Sequence, residues 1–273
     1  MKFLRSWWPL VIIAILIIVA IFAPALAPYD PSVQQGRPFS GPSAKHWLGL
    51  NHLGEDILSE LIMGTRHSLA IATVASLITL TIAFVGGAIA GLRGGATDCA
   101  IMRVAEFFMA VPALPAILLL AAIMQGGFWS MVFVLTVMSW PYLLRLVRGE
   151  VVDIKRRGYI RTIRAMGASD LYIVRVHVLQ ELAPMLVYRY VLRFKSTILT
   201  ESTLAFLGIG ALTTTSWGTI LHHAQARHAF TTGTWVYWAL PAVMCIIVVS
   251  FSLMMLAYKI EERSDARLSH AIA

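Results

Sequence analysis

The chain has 273 residues, of which 58% are hydrophobic and 13% charged. A soluble domain carries roughly 25% charged residues, so most of this chain dissolves in lipid. Its net charge of +8 comes without a basic stretch interleaved with stacking aromatics outside the apolar runs, which excludes nucleic acid as a partner. The excess reads instead as Lys and Arg retained beside membrane spans.

A membrane helix needs about 20 mostly apolar residues, and six candidates follow in order. Residues 7–27 contain no polar side chain. Lys2, Arg5 and Ala25-Leu-Ala27 also fit a cleaved secretory leader, but the run is long enough to span, and Pro24 and Pro28 flank the cleavage site. It therefore reads as a retained helix. The second candidate covers residues 68–92 and the third about 107–124. The fourth covers 128–144, with Pro141 near its end, and the fifth about 183–207. The fifth carries Arg189, Arg193, Lys195 and Glu201, and the sixth, 235–258, is strongly apolar. The expected fold is all-α: a polytopic membrane protein with about six transmembrane helices.

Cys99 and Cys245 fall in unrelated stretches and read as packing residues, not as a disulfide or a metal-ligand pair. Gly87 and Gly91 form a small-xxx-small pair that lets another helix approach closely.

Orientation follows from the basic residues. Lys2 and Arg5 precede the first span, and Arg93 and Arg103 lie between the second and third. Lys259, Arg263 and Arg267 lie after the sixth. On the opposite side are residues 29–67, where four acidic residues outnumber three basic ones, a short turn at 125–127, and residues 211–234 with Arg227. Both termini are expected in the cytoplasm.

Between Arg145 and Pro184 eight Lys/Arg face four Asp/Glu. This stretch is too charged for hydrocarbon and too periodic for a disordered loop. Ile160, Ile163 and Met166 recur at helical spacing, as do Leu171, Val174 and Val178. Gly167 separates the two runs as a left-handed junction, and Ser169 and Asp170 supply a new helix start. A folded helix pair on the cytoplasmic face implies a partner that covers its apolar residues. Small or flexible Ala165, Met166 and Ala168 suit a close protein contact. Arg161 and Arg164 suit either acidic groups on that partner or lipid phosphates.

The charges of the fifth span are costly at bilayer depth unless paired or wet. Glu201, Lys195 and Arg193 are candidates for an aqueous translocation pathway; for Glu201 a structural ion pair is an equal alternative. Arg189 reads as a cation snorkelling to the surface. His222, His223 and His228, with Gln225, lie on the outer side. Adjacent histidines diverge on a helix and no carboxylate or thiolate joins them, so no metal site is assigned.

Residues 159–167 followed by His177-Val-Leu resemble the EAA loop of permease subunits in bacterial binding-protein-dependent ABC importers. His46-Trp-Leu-Gly49, Leu53-Gly-Glu-Asp56, Gly64-Thr-Arg-His-Ser-Leu69, Gly91-Leu-Arg-Gly-Gly95 with Asp98, and Met102-Arg103 resemble the dipeptide/oligopeptide/nickel branch of that family. So do Ile198-Leu-Thr-Glu-Ser-Thr-Leu-Ala-Phe-Leu-Gly208 and Ser216-Trp-Gly218. The chain departs from the pattern at Tyr159-Ile-Arg-Thr-Ile-Arg-Ala165, where an acidic residue and paired alanines are usual. It departs again at Gln180, where the family has proline, at Leu50-Asn51 for Thr-Asp, and at Glu55 for arginine. At its end it carries Tyr258-Lys-Ile-Glu-Glu-Arg263 in place of the branch's acidic–glycine ending.

The resemblance implies a coupling element comprising Tyr159, Arg161, Ile163, Arg164, Ala165, Met166, Gly167, Ala168, Ser169 and Asp170, which sits on a cytoplasmic ATPase. It implies a second homologous permease subunit, two cytoplasmic ATP-binding subunits and an extracytoplasmic solute-binding protein as partners, besides membrane lipid. The location implied is the bacterial inner membrane. Residues 1–67 would form an N-terminal membrane helix and extracytoplasmic segment, and 68–273 the core permease, with the EAA-like loop at about 158–184. The chain itself has no Walker A pattern, since no Gly is followed by Lys, and no cofactor or catalytic group is expected. A stand-alone secondary transporter would show internal repeats, and an intramembrane enzyme a catalytic constellation; the sequence displays neither.

Overall fold

The computed structural model describes residues 2–124, 126–210 and 214–272, with side chains between residues 8 and 262. Gln125, the first residues of the 211–234 connection, and the side chains of Lys2, Arg5, Arg263 and Arg267 lie outside the described set.

Helix α1 (Lys2–Ile21) runs into the short α2 (Ala23–Leu26). An irregular segment then leads to α3 (Ile57–Arg93). Asp56 caps α3: its Oδ2 accepts from the Ser59 amide and hydroxyl, both at 2.8 Å, satisfying donors the helix start leaves open. At about 1.5 Å per residue the 37-residue α3 is some 55 Å long, well beyond a ~30 Å hydrocarbon layer. It begins well before Ser68, so the expected division at residue 67 falls inside a continuous helix.

The third and fourth expected spans are broken. Helices α4 (Gly95–Ala110) and α5 (Ala113–Ile123) meet at 88°, and α6 (Phe128–Val137) and α7 (Trp140–Arg156) at 48°. Proline marks each break. Pro112 immediately precedes α5 and Pro141 lies in the first turn of α7, each removing an amide donor and crowding the preceding turn. Pro141 therefore starts a helix where the sequence pattern placed it near the end of one.

After α8 (Gly158–Ala165) and a tight turn, α9 (Asp170–Ile173), a π-helical segment (Val174–Val178) and α10 (Leu179–Phe206) follow without interruption. The second helix of the basic segment is thus continuous with α10, the helix that covers the expected fifth span, a correction to the expectation of a separate pair. The chain ends with α11 (Trp217–Ala226), α12 (Ala229–Thr232) and α13 (Trp235–Ile272).

Helix α3 is the axis of the bundle, and glycine lets α7 close on it. A Cβ on Gly87 would stand 2.9 Å from Val147 Cβ, and one on Gly91 2.8 Å from Val151 Cβ. The sequence expectation of a close helix contact at this pair holds. One core gathers Ile57, Leu69, Ile198, Trp217 and Trp238 between α3, α10, α11 and α13, and α1 packs on it through Ile13 and Leu16. A second joins Leu92, Val147, Val151, Ile160, Ile173 and Val178 at the basic end. A third holds Ile71, Ile117, Val134 and Leu204.

By length and composition α3 and the Trp235–Glu262 part of α13 can each cross a membrane, and up to four spans result if each bent pair counts as one. The apolar part of α1, Trp8–Ile21, is shorter. Leu77, Val85, Ile247 and Met254 stand exposed on these helices, as a lipid-facing surface requires.

Candidate functional site

At the basic end, α8 closes in a glycine turn. Gly167 adopts φ +91°; its amide donates to Arg164 O at 3.0 Å, and Ala168 N–H reaches back to Ile163 O at 3.2 Å. This is the paired reverse hydrogen bonding of a Schellman end, which needs a left-handed residue at that position. Ser169 then caps α9 by accepting from the Tyr172 amide at 3.3 Å. The sequence expectation of a glycine junction and a Ser/Asp start is met in detail.

The turn presents a different apolar face from the one its periodicity suggested. Ile160 is buried with Ile173 and Val178 against α3 and α7, so it anchors the turn to the bundle and does not await a partner. Met166 projects with 82% of its surface exposed, and Leu171 and Tyr172 stand beside it in sequence with 60% and 49%. Ala165 and Arg161 are exposed, and Ile163 and Ala168 half-buried. Arg164 pairs within the chain with Asp170 at 2.5 Å, bracing the turn; neither partner acid nor lipid phosphate is needed to explain it.

Behind this face Arg157 Nη1 contacts Glu181 Oε2 at 2.6 Å, and the Tyr159 hydroxyl donates to the same carboxylate. Burial, followed by the hydrogen bond and charge of Glu181, raises the Tyr159 hydroxyl above its ordinary pKa. The His177 ring lies between Tyr159 and Tyr172, with centroids 5.7 and 5.9 Å away. Tyr159 thus ties the start of α8 to α10. Nearby, Arg148 on α7 grips Asp98 on α4 with two hydrogen bonds, at 2.7 and 2.5 Å. The sequence motif contains Asp98 but not its partner Arg148, because no spacing signal links residues 50 positions apart.

The charges of α10 separate. Arg193 Nη2 donates to Leu135 O at 3.0 Å, at the end of α6 where the helix break leaves carbonyls open and the helix dipole is negative. Arg189 lies one turn earlier, and both line a cavity of about 550 Å³ together with Ser139, Tyr142, Ser196 and Thr200. Arg189 faces a cavity, where the sequence suggested snorkelling.

Glu201 is 2% exposed. Its Oε2 accepts from Ser68 Oγ at 3.3 Å and Ser202 Oγ at 3.4 Å, and Ser68 in turn accepts from the Trp217 amide at 3.3 Å. It borders a second, small void with His67, Ser216 and Thr219. Lys195 is half-buried and lines neither space. No ion pair joins Glu201 to either cation among the described residues.

At the opposite end residues 46–60 fold into a knob. His46 Nδ1 lies 2.9 Å from Asp56 Oδ1. Asn51 Oδ1 accepts from the Leu53 and Glu55 amides at 2.8 and 3.0 Å, and Asn51 Nδ2 donates to Glu55 Oε2 at 2.7 Å. The departures from the family pattern at positions 51 and 55 therefore meet in one contact, an amide–carboxylate pair in place of aspartate and arginine. His52, whose role sequence reading missed, stacks between His223 and Trp238 at 5.3 and 5.5 Å. Burial, then the charges of His223 and Arg227, lowers its pKa to about 4. His222 Nδ1 lies 2.9 Å from Phe206 O, yet its ring lies edge-on to that of His223 with centroids 5.6 Å apart, so the adjacent pair does not diverge as the helix pattern suggested. His228 takes a left-handed backbone conformation, φ +57°.

Comparison with known proteins adds a lineage to this geometry. The family model for the binding-protein-dependent transport system inner membrane component matches residues 83–265. That for the N-terminal TM domain of oligopeptide transport permease C matches residues 6–42. Similar proteins include the oligopeptide transport system permease protein OppC of Bacillus subtilis (strain 168), 31% identical with 89% of this chain and 80% of that protein aligned. The glutathione transport system permease protein GsiD of Pectobacterium atrosepticum is 36% identical, over 78% of this chain and 72% of that protein. The nickel transport system permease protein NikC of Escherichia coli (strain K12) is 31% identical over 92% of each. Among solved structures, an inward-facing form of the MetNI methionine ABC transporter aligns with 79% of this chain and 97% of that chain. Its TM-score is 0.55 at 20% identity, a likeness of fold.

Proposed function

This chain belongs to the binding-protein-dependent transport system inner membrane components and is a permease subunit of an ABC importer; on that premise we propose how its parts serve transport. The surface formed by Ala165, Met166, Leu171 and Tyr172 docks on the ATP-binding subunits. The observation that carries this reading is the exposed Met166 beside a turn held rigid by the Gly167 cap, the Arg164–Asp170 pair and the buried Ile160 anchor. A mobile apolar surface would lose binding energy on ordering; a braced one loses less.

Two cytoplasmic ATP-binding subunits, a second homologous permease and an extracytoplasmic solute-binding protein complete the assembly, with both termini of this chain cytoplasmic. The N-terminal helix and the segment leading to α3 serve as the anchor and outer segment, and the chain from α3 onward as the transport core. Closure of the ATP-binding subunits moves the docked turn, and the continuous helix from Asp170 to Phe206 carries that motion to the residues beside the two internal spaces. Asp170 and Arg193 are separated by about 35 Å of helix. The permease then alternates between outward- and inward-facing states, a rigid-body switch biased by nucleotide. Arg193 and Glu201, each bordering a space inside the helical bundle, lie on the pathway. Lys195, which lines neither space, is not placed on it.

The solute is a peptide, nickel or a metal–chelator complex; the names of OppC, GsiD and NikC support this range. The deciding experiment is co-purification from the membrane followed by ATP hydrolysis with and without the solute-binding protein loaded. Stimulation by the loaded protein supports the assembly. Solute uptake by this chain alone would instead support a stand-alone secondary transporter.

A further inference from the structure

The cavity beside α10 has an unusual charge balance. Two guanidinium groups, Arg189 and Arg193, enter it from positions four residues apart on one helix, where like charges repel. Its lining contains no Asp or Glu, and neither arginine has an ion-pair partner among the described residues. A charge withdrawn from water is costly without compensation. Arg193 is partly compensated by Leu135 O at the end of α6, and Arg189 by the Tyr188 ring, 5.5 Å from its guanidinium carbon. The Nε–H of each arginine is nevertheless buried without a protein acceptor. An arginine offers five donors in a planar fork that suits a carboxylate. Tyr142 adds a hydroxyl to the same space, while those of Ser139, Ser196 and Thr200 line it with their hydrogens donated to Leu135 O, Arg193 O and Ser196 O.

We propose that Arg189 and Arg193 form an oxyanion-selective station in this cavity, so that the transported solute presents a carboxylate or comparable oxyanion there. A peptide with a free C-terminus or an anionic metal chelate fits; a bare divalent cation is repelled. The inference rests on the reading that this cavity belongs to the pathway. About 550 Å³ lies within the range of small-solute sites, and exposed Tyr142 and Leu114 form its mouth.

The test uses the complete transporter, with Cys99 and Cys245 replaced and a cysteine introduced as Ser196→Cys, in phosphatidylcholine nanodiscs. Two methanethiosulfonate reagents of similar size are compared, one ending in sulfonate and one in trimethylammonium, each normalised to its rate with glutathione. Focused charge in a low-dielectric cleft changes local ion concentration by about tenfold or more, so the sulfonate reagent is expected to be favoured about tenfold. Arg193→Gln and, independently, Arg189→Gln should each reduce that preference. The second variant removes no backbone hydrogen bond and so guards against loss of fold. Equal normalised rates, or a preference indifferent to both substitutions, would overturn the proposal. Loss of the preference when phosphatidylglycerol is added would identify a lipid headgroup as the occupant and overturn the solute assignment. A preserved preference with labelling that ignores vanadate trapping would refute the pathway reading beneath it.

Discussion

Gly167 is held at φ +91° with no heavy atom within 4 Å of where a Cβ would stand. A side chain there meets backbone strain of about 1–2 kcal/mol, not a clash. Gly167→Trp should therefore leave the subunit in the membrane at near-normal abundance while uptake falls several-fold, because bulk intrudes on the docking surface. Immunoblotting beside an uptake assay checks this, and normal uptake by a well-expressed variant would refute it. Glu201 poses a sharper division between charge and structure. Glu201→Gln keeps acceptors for Ser68 and Ser202, so abundance should persist while uptake drops if the charge acts in transport. Glu201→Ala also leaves the two hydroxyls unmatched, at about 1–3 kcal/mol. Full uptake by Glu201→Gln would mean that the residue is structural. His52 supplies a pH dependence. Its pKa is depressed from 6.5 to about 4, so the unfolded chain binds more protons between those values. Stability from this residue is complete above about 6.5 and declines as pH falls toward 4. His52→Phe should shrink the fall in melting temperature between pH 7.5 and 5; an unchanged fall would discount this histidine.

At the scale of elements, glycine decides how α3 and α7 meet. Leucine at Gly87 or Gly91 would press into Val147 or Val151, and overpacking of this kind costs about 1–3 kcal/mol. Gly91→Leu should lower the melting temperature of the purified complex and its abundance, whereas Gly149→Leu, at a position with open space around its Cβ, should change little. Equal effects would mean that the close contact is not limiting. Proline shapes the other elements, since Pro112 and Pro141 stand at the two bent breaks. The 48° break at Pro141 leaves α6 with open carbonyls, and Arg193 answers one of them through Leu135 O. A backbone interruption thus helps to seat a cation inside the bundle.

Over the whole molecule, the Leu171 and Tyr172 part of the docking surface lies on the same uninterrupted helical path as the cavity-lining arginines. The π segment (Val174–Val178) joins α9 to α10 without a loop. Motion imposed at Tyr172 therefore reaches Arg193 through helix, and motion at Met166 enters that helix across the Gly167 turn braced by the Arg164–Asp170 pair. Met166→Cys and Ala165→Cys should crosslink efficiently to an ATP-binding subunit, whereas Ser43→Cys, in the segment between α2 and α3, should not. Crosslinking from Ser43 alone would overturn both the orientation and the coupling role.

Composition and period alone determined the membrane class, the helical content and the two features that depend on backbone shape. Gly167 between two periodic runs implies a left-handed junction, and Gly87 with Gly91 implies a close helix contact; each signal is complete within a few residues. The motif order from His46 to Gly218 carried the family. Side-chain partnership was decided by tertiary structure, because it depends on which surfaces meet across the bundle. Ile160 and Met166 share one periodic pattern, yet the first is buried against α3 and α7 while the second is free. Arg164 finds Asp170 across a turn, Arg148 finds Asp98 from another helix, and Arg189 enters a cavity. Helical phase says which residues share a face; the packing of neighbouring helices decides what that face touches.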